Sequence, residues 1–155
     1  MNTTELGALI APASVHARSR ASVVIAAPVA KVWRLLTGFV SWPTWNPAVQ
    51  SFRKFVPGTP STVFVWRSNG VTITSTLRKV EPLSELVWTG RAFGVAAAHG
   101  WHLKPTPEGV LVETEEVFGG WLPRLMPERM QRTLDTALPV WLDALKRAAE
   151  GPAAS

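Results

Sequence analysis

The stretch from Trp121 to Ala149 constrains this chain most, because it is the only segment long and periodic enough to make a major helix. Met126, Met130, Leu134, Leu138, Leu142 and Leu145 recur at spacings of four and three, with Trp141 beside them, and draw one apolar stripe. Glu128, Arg129, Arg132, Asp135, Lys146 and Arg147 fall largely off it. Pro127 suits a first helical turn, and Gly151-Pro152 supplies the stop. The helix is therefore expected over 127–149, about 34 Å at 1.5 Å per residue, with a kink near Pro139. A helix with one apolar face has to be covered, and the rest of the chain reads as the sheet that covers it.

The preceding residues alternate with a period of two. Ala17–Ala26 reads as a first strand, and Pro28 opens a short helix carrying Val29, Val32, Trp33, Leu35 and Leu36 that Gly38 ends. SWPTWNPAV (41–49) is too rich in proline for more than one or two tight helical turns. Six further strands are expected at 52–56, 62–69, 71–80, 85–91, 96–104 and 110–118. They are separated by Pro57-Gly58, Asn69-Gly70, Glu81-Pro82, Phe93-Gly94 and Pro107-Glu108-Gly109. Such short separators imply antiparallel neighbours, so the order is one strand, two small helices, a six-stranded meander and one long helix. Residues 1–16 read as an N-terminal arm packing, if at all, by Leu6, Leu9 and Ile10; 17–150 as a single α+β domain; and 151–155 as a disordered tail.

The 155 residues, 46% apolar, suffice for one core without staples. There is no cysteine, hence no disulfide or thiolate metal site, which is compatible with a reducing cytoplasm. No leader-like or membrane-spanning stretch is evident, so a cytoplasmic location is expected. The net charge of +5 is spread over isolated pairs such as Arg53/Lys54 and Arg78/Lys79, without a basic run or a nucleic-acid motif, and no nucleic-acid partner is expected. The oligomeric state stays open between monomer and homodimer. Eight tryptophans with no tyrosine mean that several indoles are buried and need hydrogen-bond acceptors.

By strand parity, Ile73/Ser75/Leu77, Leu86/Trp88, Ala97/His99/Trp101/Leu103 and Val112/Thr114/Glu116/Phe118 share the face turned to the helix, whereas Thr72/Thr74/Thr76/Arg78 face solvent. The inner set mixes polar groups among the apolar ones, as a ligand cavity would.

Several strings resemble the START-like helix-grip superfamily, also called SRPBCC, and within it the polyketide cyclase/dehydrase-like branch: IAAPVAKVW (25–33), WPTWNP (42–47), LVWTGR (86–91), HGWHL (99–103), ETEEVFGGWL (113–122) and WLDALKRAAE (141–150). The resemblance implies a curved seven-stranded antiparallel sheet gripping the C-terminal helix around a hydrophobic cavity. It also puts a His and a Glu at positions 99 and 116 in many relatives. It does not imply one activity, since the superfamily spans lipid carriers, hormone receptors and aromatase/cyclases.

His99 and Glu116 are the candidate catalytic residues. If they meet across a hairpin, the carboxylate favours an imidazolium and leaves the other ring nitrogen free for a ligand; the alternative is a satisfied structural pair. The expected cavity lining is Trp45, Trp66, Ile73, Ser75, Trp88, His99, Trp101, Thr114, Glu116, Met126, Met130 and Leu134, in which the indoles form a wall for a flat ligand and the methionines an adaptable surface. Glu113 and Glu115 share the outer face as a solvated stripe. His16, His99 and His102 have no metal-ligand spacing, and nucleophile-elbow, P-loop and dinucleotide motifs are absent, so neither metal nor cofactor is expected. Three readings follow: a binding or carrier domain for a small hydrophobic molecule of aromatic, polyketide-like or lipid-like kind; a cyclase/dehydratase using His99 and Glu116; and a partner-binding module of the chaperone-activator type.

Overall fold

A computed structural model describes residues 2–11, 14–56 and 62–152. The elements in chain order are α1 (Thr3–Ala8), β1 (Val15–Ile25), α2 (Val29–Thr37), a 3-10 turn (Phe39–Ser41), α3 (Trp42–Trp45), β2 (Val49–Val56), β3 (Val63–Ser68), β4 (Val71–Glu81), β5 (Glu85–Ala92), β6 (Val95–Thr106), β7 (Gly109–Gly119), α4 (Trp121–Leu125) and α5 (Pro127–Glu150). The seven strands form one antiparallel sheet in the order β1-β7-β6-β5-β4-β3-β2. The meander is thus as expected, and β1 joins it beside β7. Asn69 and Gly70 close β3 onto β4 with φ of 50° and 79°, the left-handed pair that a two-residue hairpin requires. The expected turn at Pro57-Gly58 and residues 153–155 of the expected tail lie outside the described residues.

α5 runs as one helix through Pro139, which lies on its exposed side, so the missing donor falls on the solvent-facing rim of the helix. Its stripe is buried as predicted: Leu134, Leu138, Trp141, Leu142 and Leu145 are all at most 5% exposed. Met126 and Met130, at its start, are only half-buried.

The helix lies along β1, whose outer edge has no neighbouring strand among the described residues. Gln131 stands in for one: its side-chain oxygen accepts from Arg18 N–H (3.1 Å) and its amide donates to Arg18 C=O (2.6 Å). Further along, Asp135 accepts from Ser19 Oγ (2.7 Å), Lys146 Nζ donates to Val24 C=O (2.9 Å) and Glu150 accepts from Ala26 N–H (2.9 Å). Side chains of α5 thereby occupy backbone groups that an open sheet edge would offer to another chain.

The core is aromatic, and Trp42 is its centre. α3, a single helical turn, drives this fully buried indole to ring-centroid distances of 5.0–5.6 Å from Phe39, Phe64, Trp66, Trp88 and Trp141. Its N–H donates to Leu36 C=O (3.1 Å).

On the opposite face of the sheet, residues 3–8 form a helix where an irregular arm was expected. Asn2 and Glu5 cap it reciprocally, with Glu5 N–H donating to Asn2 Oδ1 (3.0 Å) and Asn2 N–H to Glu5 Oε2 (2.6 Å). Leu6 is fully buried against Val87, Ala98 and Val117, and its methyls sit over Gly100, where a Cβ would come within 3.3 Å of Leu6 Cδ2 and 3.6 Å of Cδ1. Of the three residues expected to anchor this segment, Leu6 is buried, Ile10 half-buried and Leu9 38% exposed.

Candidate functional site

The inner face of the sheet brings most of the expected site residues together, and it pairs Trp66 with Ser75 and joins His99, Thr114 and Glu116. Ser75 Oγ accepts from the Trp66 indole N–H (3.0 Å), both buried. His99 and Glu116 pair directly across the β6–β7 hairpin with Nδ1 and Oε2 3.5 Å apart. His99 Nε2 is 2.7 Å from Thr114 Oγ1, which is itself 3.0 Å from Gly100 C=O.

These distances and the burial of the pair together set where the protons sit. A carbonyl accepts only, so the Thr114 hydroxyl donates its proton to Gly100 and accepts from Nε2–H of His99. Nδ1 then carries a lone pair facing Glu116. Burial holds the His99 ring neutral, with its pKa pushed down to about 3, and burial pushes the Glu116 carboxyl up to about 8. Side-chain exposures of 4% and 15% leave solvent to moderate the glutamic acid more than the imidazole. The resulting relay is neutral: Glu116 O–H faces Nδ1, Nε2–H points to Thr114, and Thr114 O–H to Gly100. This corrects the expectation of an imidazolium with one nitrogen free for a ligand. Desolvation outweighs the attraction of the pair, because Trp88 and Trp101 pack against the ring at 4.9 Å each and Trp141 at 6.3 Å.

An open groove of about 840 Å³ lies elsewhere. It runs between the first half of α5 and the facing chain ends, lined by Arg129, Arg132, Thr133, Thr136, Ala137, Val140 and Trp141 from the helix, with Pro47, Ala48, Ser68 and Asn69 opposite. None of the twelve residues expected to line a cavity lines this groove. Trp66, Trp88, Trp101, Ser75, His99, Thr114 and Leu134 are buried, while Trp45, Ile73, Glu116, Met126 and Met130 are half-buried. Trp141 joins the two regions: it walls the groove and also packs on Trp45 (6.2 Å), Trp66 (5.9 Å) and Trp101 (5.7 Å). The signal for the groove was present as a second helical stripe, 129–132–133–136–137–140, mixing arginine, threonine and small apolar residues. It was masked because Arg129 and Arg132 read as solvated charge.

Two buried indole donors, Trp45 Nε1 and Trp101 Nε1, have no acceptor among the described residues. Glu113 and Glu115 share the outer face as expected, but Glu115 is buried rather than solvated, 3.1 Å from Arg20. Among the described residues, no group of three His, Asp or Glu side chains could hold a metal ion, and no helix is long and apolar enough to cross a membrane.

A curved antiparallel sheet closed on a long C-terminal helix, with small helices after the first strand, defines a START-like helix-grip protein. The family model described as "Polyketide cyclase / dehydrase and lipid transport" matches residues 16–150, and the chain belongs to that family. Among solved structures, the Zhui aromatase/cyclase from Streptomyces sp. R1128 is 16% identical, with 86% of this chain and 93% of that one covered at a TM-score of 0.76. A START superfamily protein from Mycobacterium smegmatis is 14% identical, with 86% and 97% covered at 0.73. The di-domain aromatase/cyclase StfQ of the steffimycin biosynthetic pathway is 17% identical; 93% of this chain matches 53% of that one at 0.75, so the chain spans about half of it. At these identities the likeness is one of fold. No curated protein matches the chain.

Proposed function

We propose that this chain is a cytoplasmic carrier or binding domain for a small hydrophobic molecule, held in the groove between α5 and the α3–β2 and β3–β4 connections. The observation that carries the proposal is the groove itself: about 840 Å³, open to solvent, with the indole of Trp141 as one wall and Ala137, Val140, Pro47 and Ala48 as apolar lining. That volume suits a small-molecule site. The family's description, which includes lipid transport, supports the same reading.

A cyclase reading is less well supported. A general acid or base has to come within hydrogen-bond reach of the reacting atom, and both nitrogens of His99 face groups of its own hairpin. Neither His99 nor Glu116 lines the groove.

The test is titration of a neutral naphthylamine dye into the native protein and into Ala137→Trp, which fills the groove from a half-buried helix position. The native protein is expected to bind, and the variant to lose at least about tenfold in affinity, roughly 1.4 kcal/mol, while keeping its melting temperature. Equal binding by both would refute the groove as the site.

A partner-binding reading rests on different residues. Phe93 (78% exposed), Trp121 (51%) and Leu125 (71%) are large apolar side chains left in solvent where α4 meets the β5–β6 turn, with Phe93 edge-on to Trp121 at 5.2 Å. If they dock a second copy of the chain, Leu125→Asp will convert a sedimenting dimer to monomer without changing dye affinity. A native protein that sediments as a monomer at every concentration would exclude that docking.

A further inference from the structure

Resting on the groove as the binding site, we infer that it selects anionic amphiphiles: molecules with an apolar chain or ring system ending in a carboxylate or sulfate, whose charged end is taken by Arg129 and Arg132. The polar part of the lining is one-sided. Two guanidinium groups three residues apart on one helix face accompany Thr133, Thr136, Ser68 and Asn69, and among the described residues no carboxylate lines the groove. The nearby acids of α5, Glu128 and Asp135, do not line the groove. Asp135 accepts from Ser19 Oγ (2.7 Å) and Gln131 Nε2 (3.1 Å) on the β1 side, and Glu128 sits exposed in the first turn. Neither arginine has a carboxylate within 4.0 Å among the described residues, so both guanidinium groups are free to take an anion.

Helix stability does not account for this placement. Arg129 lies in the first turn of α5, at the positive end of its dipole, where a cation is disfavoured and an anion favoured. Two unpaired guanidiniums beside that terminus make the mouth of an apolar groove electropositive, and a guanidinium presents a planar fork that matches a carboxylate or sulfate. Ala137, Val140 and Trp141, one to three turns further along the same face, would receive the apolar part. A ligand lying along the helix can therefore satisfy both halves at once.

The experiment compares decanoate, decyl sulfate and decanol as displacers of the bound naphthylamine dye. Decanoate and decyl sulfate are expected to displace it at concentrations at least about tenfold below decanol. That gap is expected to close in Arg129→Gln/Arg132→Gln and in about 0.5 M NaCl, where charges beyond a few ångströms are screened. If decanol displaces the dye as well as the two anions do, the anion preference is refuted and the groove reading stands. If the dye binds but none of the three displaces it, or the dye does not bind, both fall. Monomeric decanoate and an anionic bilayer share their chemistry, so co-sedimentation with phosphatidylglycerol vesicles is the last arm. Binding to vesicles without displacement by decanoate would overturn the proposal in favour of a lipid surface.

Discussion

Thr114 donates to Gly100 and so requires a proton on Nε2 of His99, while burial disfavours the imidazolium and leaves Nδ1 without one. The pH dependence of stability follows from the two shifted groups. His99, lowered from 6.5 to about 3, binds fewer protons when folded between those values, so its contribution is lost as pH falls below 6.5. Glu116, raised from 4.5 to about 8, binds more protons when folded, so its contribution is lost as pH rises from 4.5 toward 8. From pH 4.5 to 6.5 the two slopes cancel, and stability declines on either side. Glu150, held below the ordinary carboxylate range by its hydrogen bonds from Lys146 and Ala26, adds only to the acid limb. Glu85 is lowered too: burial, the largest single effect, pushes it up, but the hydrogen bonds and positive charges around it, those of Lys79 among them, together prevail, and it acts in the same range. The alkaline limb therefore belongs to Glu116. Urea midpoints at about pH 5.5 and pH 8 are expected to fall for the native protein, by no more than about 1.4 kcal/mol per pH unit for one proton. For Glu116→Gln, whose amide can still donate to Nδ1, they should instead rise from pH 5.5 to pH 8, because the His99 slope below pH 6.5 is no longer cancelled. An unchanged alkaline loss in the variant would place the titration elsewhere.

The long helix holds the fold by two different interactions, and they are separable. Leu134 is fully buried, so Leu134→Ala is expected to cost about 2–5 kcal/mol. Gln131→Ala removes the pair of hydrogen bonds that substitutes for a neighbouring strand on β1, at an exposed site, and should cost only about 1 kcal/mol. It should also speed aggregation, because it reopens an edge. Denaturant midpoints and light scattering measure the two effects; a Gln131 variant as costly as the Leu134 variant would mean that α5 depends on the edge and not on its stripe. The stripe and the hairpins were legible in the sequence because both are local: spacing of three and four residues, or a two-residue turn such as Asn69-Gly70. The Gln131–Arg18 pairing joins residues 113 apart and leaves no local pattern. Trp42 was illegible for a related reason, since a four-residue helix has no periodicity to show which face turns inward.

At the scale of the whole molecule, the sheet and helix enclose an aromatic interior and leave an open groove beside it. Strand parity correctly gathered Ser75, Trp88, His99, Trp101 and Thr114 on one side of the sheet. It could not tell that these side chains would fill the space themselves, because whether indoles line a void or close it depends on a second layer, here Trp42 and Trp141. The polar atoms on that face, which suggested a ligand, are partners for one another. The unfilled volume formed where the helix leaves the β2–β3 end of the sheet, between residues that read as solvated or as turn. Backbone and indole chemical-shift mapping with decanoate separates these regions directly. Shifts centred on Asn69, Thr133, Thr136, Ala137 and the Trp141 indole are expected, with the His99 and Thr114 resonances little moved. Shifts centred on His99, Thr114 and Glu116, with the groove residues unmoved, would contradict the groove as the binding site.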